Sequence, residues 1–337
     1  MNNSDILFIY DAKLCNPNGD PDDENKPRMD YETQRNLVSD VRLKRYIRDY
    51  LLGIKDREGN PVYEIFVAQV DGETVDATNR LIKLIMKYKD EIEKNEKKKV
   101  DLLDKKGNPQ EKNLSKHLDW LLSKLIDVRL FGATMPLKST EGKGASITFT
   151  GPVQFNWGYS LNKVQIVESS TITSTFAGRG EEYSTMGKDW RVYYSLIAFH
   201  GIISGKRAEK TMLSEEDVKF LDNSLLKAIP LQATTRSKIG QTPRLLVRIE
   251  YHDDTTFLGD LRSYVKVEPE ENLRDINEAK LEVSPLIKLI GTNQDKIEKI
   301  YIWQHADLKL KEGKSLMSLL EQDNFKDKIE QLPHPDK

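Results

Sequence analysis

ILFIYDAKLCNPNGDPDDENKPRMDYETQRNLVSDVRLKRYIRDYL, residues 6–51, is the stretch on which the fold turns. It opens on Ile6–Tyr10, an apolar run between Asp5 and Asp11 that is too short for a helix. A short run of this kind, bounded by polar residues, predicts a buried first strand over Asp5–Ala12. Lys13–Asn36 is then dense in Pro, Asn, Asp and Gly, longer than an ordinary connection, and so points to function or mobility. Ser39 or Asp40 can cap the helix that follows, where Leu43, Tyr46, Ile47, Tyr50 and Leu51 recur at helical spacing. Arg42, Lys44, Arg45 and Arg48 fall off that stripe and form one basic face. Its bland alternative is a solvated face paired with Asp40 and Asp49.

Outward from this segment the pattern stays mixed. Tyr63–Val70 reads as a second strand, and Thr78–Val128 as a Lys/Glu-rich helical region broken near Gly107-Asn108-Pro109. After Gly132 the period becomes two: Ile147, Phe149, Val153, Phe155, Trp157 and Tyr159 alternate with small or polar residues around Gly151-Pro152. Val164–Ile172 and Val192–Ile203 read as strands, with a Gly/Ser/Thr-rich hairpin or flap at Thr173–Trp190 between them. Ser214 and Asp217 form a capping-box pattern ahead of the stripe Val218, Leu221, Leu225 and Ile229. Leu245–Tyr251 closes the series as a strand. Stripped of insertions, β-α-β…β-α-β predicts an α+β fold with a ferredoxin-like core, the architecture of RNA-recognition domains.

Composition limits the function. The chain has 337 residues and a net charge of −2, which is unremarkable until its distribution is read. Glu250–Lys337 carries 13 basic against 19 acidic residues, whereas the preceding part carries 39 against 35. Val41–Arg57 holds six basic residues and two acidic ones; Pro230–Ile249 holds four basic and none acidic. Local patches of that kind are what phosphate contacts require. In the second patch Arg236, Lys238 and Arg244 surround Gly240, with Thr234, Thr235 and Ser237 as further donors. Lys138, Ser139, Gly142, Lys143 and Gly144 form a weaker cluster without P-loop spacing. The single cysteine, Cys15, excludes an internal disulfide and fits a reducing cytoplasm. The longest apolar run, Tyr193–Ile203, is too short to span a membrane.

Catalytic signals are thin. Placing Gly19 at the sixth position of a calcium loop puts Leu14 and Asn25 at the first and twelfth, so both positions fail the template, which needs carboxylates there. Asn16-Pro17-Asn18-Gly19 instead makes a turn, with Gly19 free to take positive φ, and either shapes the chain only or also brings its amides to phosphate. The five histidines are scattered, and His200 lies in an apolar run as a core residue. A carboxylate of the Asp20–Asp23 loop could assist strand cleavage, but no partner acid or base accompanies it. No metal or cofactor is expected.

Several separated motifs then resemble one family. Residues 6–51 are similar to the N-terminus of the backbone subunits of type I CRISPR Cascade complexes, members of the RAMP superfamily; the likeness is closest to subtype I-B and extends to I-C. FGATMP (131–136), TGPVQFNWGYS (150–160), TMGKDW (185–190), IAFHG (197–201) and TTRSKIGQTPRLLVRIEY (234–251) continue it in order. The resemblance implies one elaborated RRM-like domain. Its palm would cover about 4–70 and 145–267, a helical insertion about 78–130, a thumb hairpin about 173–190 and a C-terminal extension 268–337. It also implies copies stacked along a CRISPR guide RNA, which pairs with target DNA, alongside other Cascade subunits and a recruited helicase-nuclease. The family's basic helix falls on Lys44, Arg45 and Arg48, its post-strand loop on Asn16, Asn18 and Gly19, and its basic glycine loop on Arg236, Lys238 and Arg244. Phe176 or Met186 would be the thumb's apolar wedge. Two alternatives stay open: a metal-dependent endoribonuclease of the same superfamily, dependent on Asp20 or Asp22, and a scaffold whose basic patches bind only proteins.

Overall fold

The computed structural model describes residues 1–69, 72–97, 99–138, 144–168, 170–177, 184–322 and 325–333. The chain divides into two units. One is made of Arg48–Gln154 and Ser204–Lys219; the other of Asn2–Ile47, Phe155–Ile203 and Phe220–Lys337.

The second unit is built on a large, mostly antiparallel sheet. Its strands are β1 (Ser4–Cys15), β2 (Arg35–Val38), β3 (Gly158–Ser160), β6 (Val192–Ile203), β7 (Gln241–Tyr251), β8 (Ile297–Gln304) and β9 (Ile329–Gln331). The intervening β4 (Thr171–Ala177) and β5 (Ser184–Lys188) form a separate antiparallel pair over the segment expected as a hairpin. Across the sheet the order is β9-β8-β7-β1-β6-β3-β2, with Met29–Asp30 beyond β2. β1 is central because Ile6, Leu7, Phe8, Ile9 and Tyr10 are all buried, which only a strand covered on both faces achieves. Tyr10 faces Ile197 on β6, and Leu7 faces Val247 on β7; the β1–β7 register shifts between Ile9 and Tyr10. Two helices follow in the sequence, α1 (Asp40–Gly53) after β2 and α2 (Glu215–Gln232) after β6. The division between units falls inside both helices. Leu43, Tyr46 and Ile47 of α1 and Leu221, Leu225 and Ile229 of α2 are buried, as their spacing predicts.

Beyond Tyr251 the chain adds β8 and β9 to the sheet, with a smaller one of Lys266–Glu268, Lys280–Glu282 and Lys309–Leu310. Val247, Leu281, Leu286, Ile300, Leu316 and Phe325 share one core there. Val164–Ile172 is not a strand: Ile166 makes an isolated bridge to Val192, and β4 begins only at Thr171. Backbone bonds to Gln34 and Arg191 hold this segment in an irregular course.

In the first unit, helix Ala77–Glu96 is capped by the Asp76 side chain, which accepts from Asn79 N–H. Its Leu81, Leu84 and Ile85 pack with Leu121, Leu122, Val128 and Met135. The capping box forms reciprocally, with Ser214 N–H on Asp217 at 3.0 Å and Asp217 N–H on Ser214 Oγ at 3.1 Å. The strand expected at Tyr63–Val70 does not form over its described residues. Glu64 makes only an isolated bridge to Leu125, and the amides of Phe66 and Val67 donate instead to the buried Asp127 carboxylate at 2.7 and 3.0 Å. No described helix is long and apolar enough to cross a membrane.

Candidate nucleic-acid interface

Three segments distant in sequence meet where β1 ends. Asn16 N–H donates to Ser237 O, and Lys13 N–H to Gly240 O, each at 2.8 Å, so the loop before β7 is laced to the loop after β1. Gly240 has φ +110°, and a Cβ there would lie 2.4 Å from Lys13 O; only glycine fits. Lys238 Nζ reaches back to Asn16 O at 2.6 Å. Gln241 Nε2 donates to Lys238 O at 2.8 Å and to Tyr46 Oη at 3.1 Å, which draws in α1, and Arg42 lies 4.0 Å above the Tyr46 ring.

The charges gathered here are uncompensated. Among the described residues no carboxylate pairs with Arg42, Arg236 or Lys238, although ion pairs are frequent elsewhere in the chain. Burial, reinforced by the Arg42 charge, pushes the Lys238 ammonium down to about 8, while the Cys15 thiol opposes the shift slightly. Burial likewise pushes Cys15 up to about 12, leaving it an unreactive thiol. Arg42 Nε, Asn16 Oδ1 and Gln241 Oε1 are buried without hydrogen-bond partners. Arg42 and Lys238, this close with no counter-charge, repel one another unless an anion joins them.

Arg191 is the residue that sequence reasoning missed. Its guanidinium donates to Leu14 O at 2.7 Å and Arg236 O at 3.2 Å while pairing with Asp189 at 2.9 Å, so it staples both loops from the start of β6. Nothing local in Asp189-Trp190-Arg191 announces that role.

Other expected site residues sit elsewhere or act differently. Asn18 turns inward, its Oδ1 accepting from Ser39 N–H and Oγ at 2.8 and 2.9 Å. Gly19 does not take positive φ; it pairs with Pro27, and a Cβ would overlap the Asn25 side chain at 1.9 Å. Closeness, not a left-handed turn, requires glycine there. The basic face of α1 divides. Lys44 is buried on Asp40 at 3.0 Å, and Arg45 is half-buried and partnered. Arg48, in the first unit, is spent on Asp127 at 3.1 Å and lies over the Phe131 ring at 5.2 Å. Arg244 belongs to β7, not the loop, and is buried against Asp11 at 2.9 Å and Asp307 at 3.3 Å.

Asp20 Oδ2 holds Arg28 at 2.9 Å and Oδ1 accepts from Asp22 N–H at 3.2 Å, so the acidic loop closes on itself. Among the described residues no group of three or more His, Cys, Asp or Glu could hold a metal. His200 lies 3.8 Å from Asp5 in the core, where burial holds its pKa below the ordinary value. Lys138 ends a strand of the first unit opposite Gly144, and Met186 faces Thr173 across the β4/β5 pair that also contains Phe176. The side chains of Lys138, Phe176 and Met186, and residues 139–143 and 178–183, lie outside the described residues.

The family model for "CRISPR-associated protein Cas7" matches residues 2–284. A relative from Haloferax volcanii, described as CRISPR-associated protein Cas7, is 31% identical over 329 residues, covering 93% of this chain and 90% of its own. Among solved structures, a chain of a "CRISPR RNA-guided surveillance complex, pre-nicking" covers 95% of this chain and 98% of its own with TM-score 0.49 and 14% identity. A second, from a "CRISPR RNA-guided surveillance complex", covers 95% and 97% with TM-score 0.47 and 12% identity.

Proposed function

The chain belongs to the Cas7 family of CRISPR-associated proteins, and on that premise we propose that it is a backbone subunit of a type I Cascade complex, of subtype I-B, that grips guide RNA by its phosphates. The observation that carries this reading is Lys238 held close to Arg42, with the exposed Arg236 on the same loop, none of them paired with a carboxylate among the described residues. Cations kept unpaired, one of them at a cost in solvation, suit a polyanion contacted through its backbone irrespective of sequence. Copies lie along the guide, which pairs with target DNA; other subunits complete the complex, and a recruited helicase-nuclease makes the cut. The protein performs no chemistry itself.

The strand order β7-β1-β6-β3, with α1 and α2 in the two crossovers, supports reading this part as a ferredoxin-like palm within one elaborated domain. The helical insertion corresponds to the helices of the first unit, the C-terminal extension to 268–337, and the β4/β5 pair to a thumb with Phe176 or Met186 as its wedge.

Binding of labelled single-stranded RNAs of unrelated sequence tests the function. Three phosphate contacts predict a salt slope of about −2 per subunit and little dependence on sequence. Cleavage of the RNA, or strong preference for one sequence, would overturn the proposal.

A further inference from the structure

At the end of β8 the chain forms a cleft of about 590 Å³. Its floor is apolar, made by Ile302, Leu308, Leu310 and Met317, and its rim carries Lys280, Lys309, Lys311 and Lys314. Lys311 is bound to Glu268 at 2.8 Å, but among the described residues Lys280, Lys309 and Lys314 have no carboxylate partner. This concentration of free cations stands in the most acidic part of the chain. An apolar floor inside a cationic rim fits a segment that offers an apolar side chain among carboxylates.

The same unit carries such a segment. β7 leaves the sheet at Tyr251 into a turn with Asp253 and Asp254, on which Phe257 is 40% exposed. Thr255 and Thr256 donate to Asp253, which keeps that carboxylate ionised. His252 N–H bonds Lys296 O, placing the exposed Asp295 beside the turn.

The two features lie at opposite ends of one strand pair. Leu245 faces Gln304, next to the cleft, whereas Tyr251 faces Ile297, next to the acidic turn. Six residues of strand separate these ends by about 20 Å. Complementary surfaces at opposite ends of a rigid element cannot satisfy each other within one chain, but they add copies in a single direction.

The geometry points to a head-to-tail contact between copies, in which Phe257 and the carboxylates around it enter the lysine-rimmed cleft of the next subunit. This rests on the proposed role as a guide-RNA filament subunit and supplies the contact that spaces its copies.

The test uses the full chain with single-stranded RNA of two lengths. A cleft variant (Lys280→Glu, Lys309→Glu, Lys314→Glu) and a turn variant (Asp254→Lys, Asp295→Lys) should each bind a short, one-subunit RNA within about twofold of wild type. On a 60-nucleotide RNA each alone should need about tenfold more protein for full loading, by light-scattering mass. Mixing the two should restore loading, because each altered surface meets its reversed complement. A chain carrying Met317→Cys and Phe257→Cys should also give a disulfide ladder under oxidation, native Cys15 being buried. Full loading by both variants, no rescue on mixing, or no ladder would overturn the contact. Loss of a different co-purified subunit from the cleft variant, with loading intact, would overturn it in favour of that partner. Failure of wild type to bind even short RNA would instead overturn the RNA-binding role, while the ladder at high protein concentration still reports on the contact.

Discussion

Replacing Lys238 with methionine should make the protein harder to unfold and weaker at holding RNA. Lys238 is largely buried beside Arg42, and its pKa falls from the ordinary 10.5 to about 8. That difference corresponds to roughly 3 kcal/mol by which the folded state disfavours the ammonium at neutral pH. Methionine removes the penalty and keeps most of the apolar stem, but it loses the hydrogen bond to Asn16 O, worth about 1.5 kcal/mol. The net expectation is a gain of about 1–2 kcal/mol at pH 7, read as a higher urea midpoint with unchanged slope.

The pH dependence has a definite sign. A lysine whose folded pKa is depressed destabilises the fold fully below about 8, and the effect fades as pH rises towards 10.5, where the unfolded chain also loses its proton. The variant's advantage should therefore close and then reverse across that window, because the neutral amine still donates to Asn16 O. RNA should behave oppositely: bound phosphate favours the ammonium, so wild-type affinity should decline as pH climbs through about 8, and the variant should lack that step. Loss of one phosphate contact should also flatten the salt slope by about 0.7. If methionine destabilises the protein at pH 7 and leaves RNA binding unchanged, Lys238 is a strut for Asn16 and the reasoning fails.

Three further outcomes follow from the same packing. Gly240→Ala forces a Cβ against Lys13 O at positive φ and should cost about 2 kcal/mol in urea unfolding, with RNA affinity falling in parallel. Arg191→Met frees the carbonyls of Leu14 and Arg236 and should weaken RNA binding severalfold with the salt slope nearly unchanged, since Arg191 positions the loops and is already paired with Asp189. Asp127→Ala strands Arg48 and the buried Phe66 amide, frees the Val67 amide, and should cost about 3–5 kcal/mol. Limited proteolysis should then cut first around Phe66.

Local pattern decided much of this protein on its own. The all-apolar run Ile6–Tyr10, the stripe of α1, the reciprocal Ser214–Asp217 cap and the strand Val192–Ile203 each stand where a few neighbouring residues place them. Burial of a short run or one helix face is a property of spacing, and spacing is written in the chain. The loop around Asn16 was also legible as glycine-marked, and the one around Gly240 as glycine-marked and basic.

Tertiary structure decided which basic residues remain available. Arg42, Lys44, Arg48, Arg236, Lys238 and Arg244 are alike as letters, yet Lys44 is closed by Asp40, Arg48 by Asp127 and Arg244 by Asp11. Only folding brings a carboxylate from another strand or helix onto one guanidinium and leaves the next without one. The same long-range pairing turned the chain at Phe66 and Val67 away from strand, because the Asp127 side chain took the amides a neighbouring strand would have used. It also made Arg191 a staple. Charge is local and additive along a sequence, whereas neutralisation depends on distances of a few ångströms that exist only after the chain has closed.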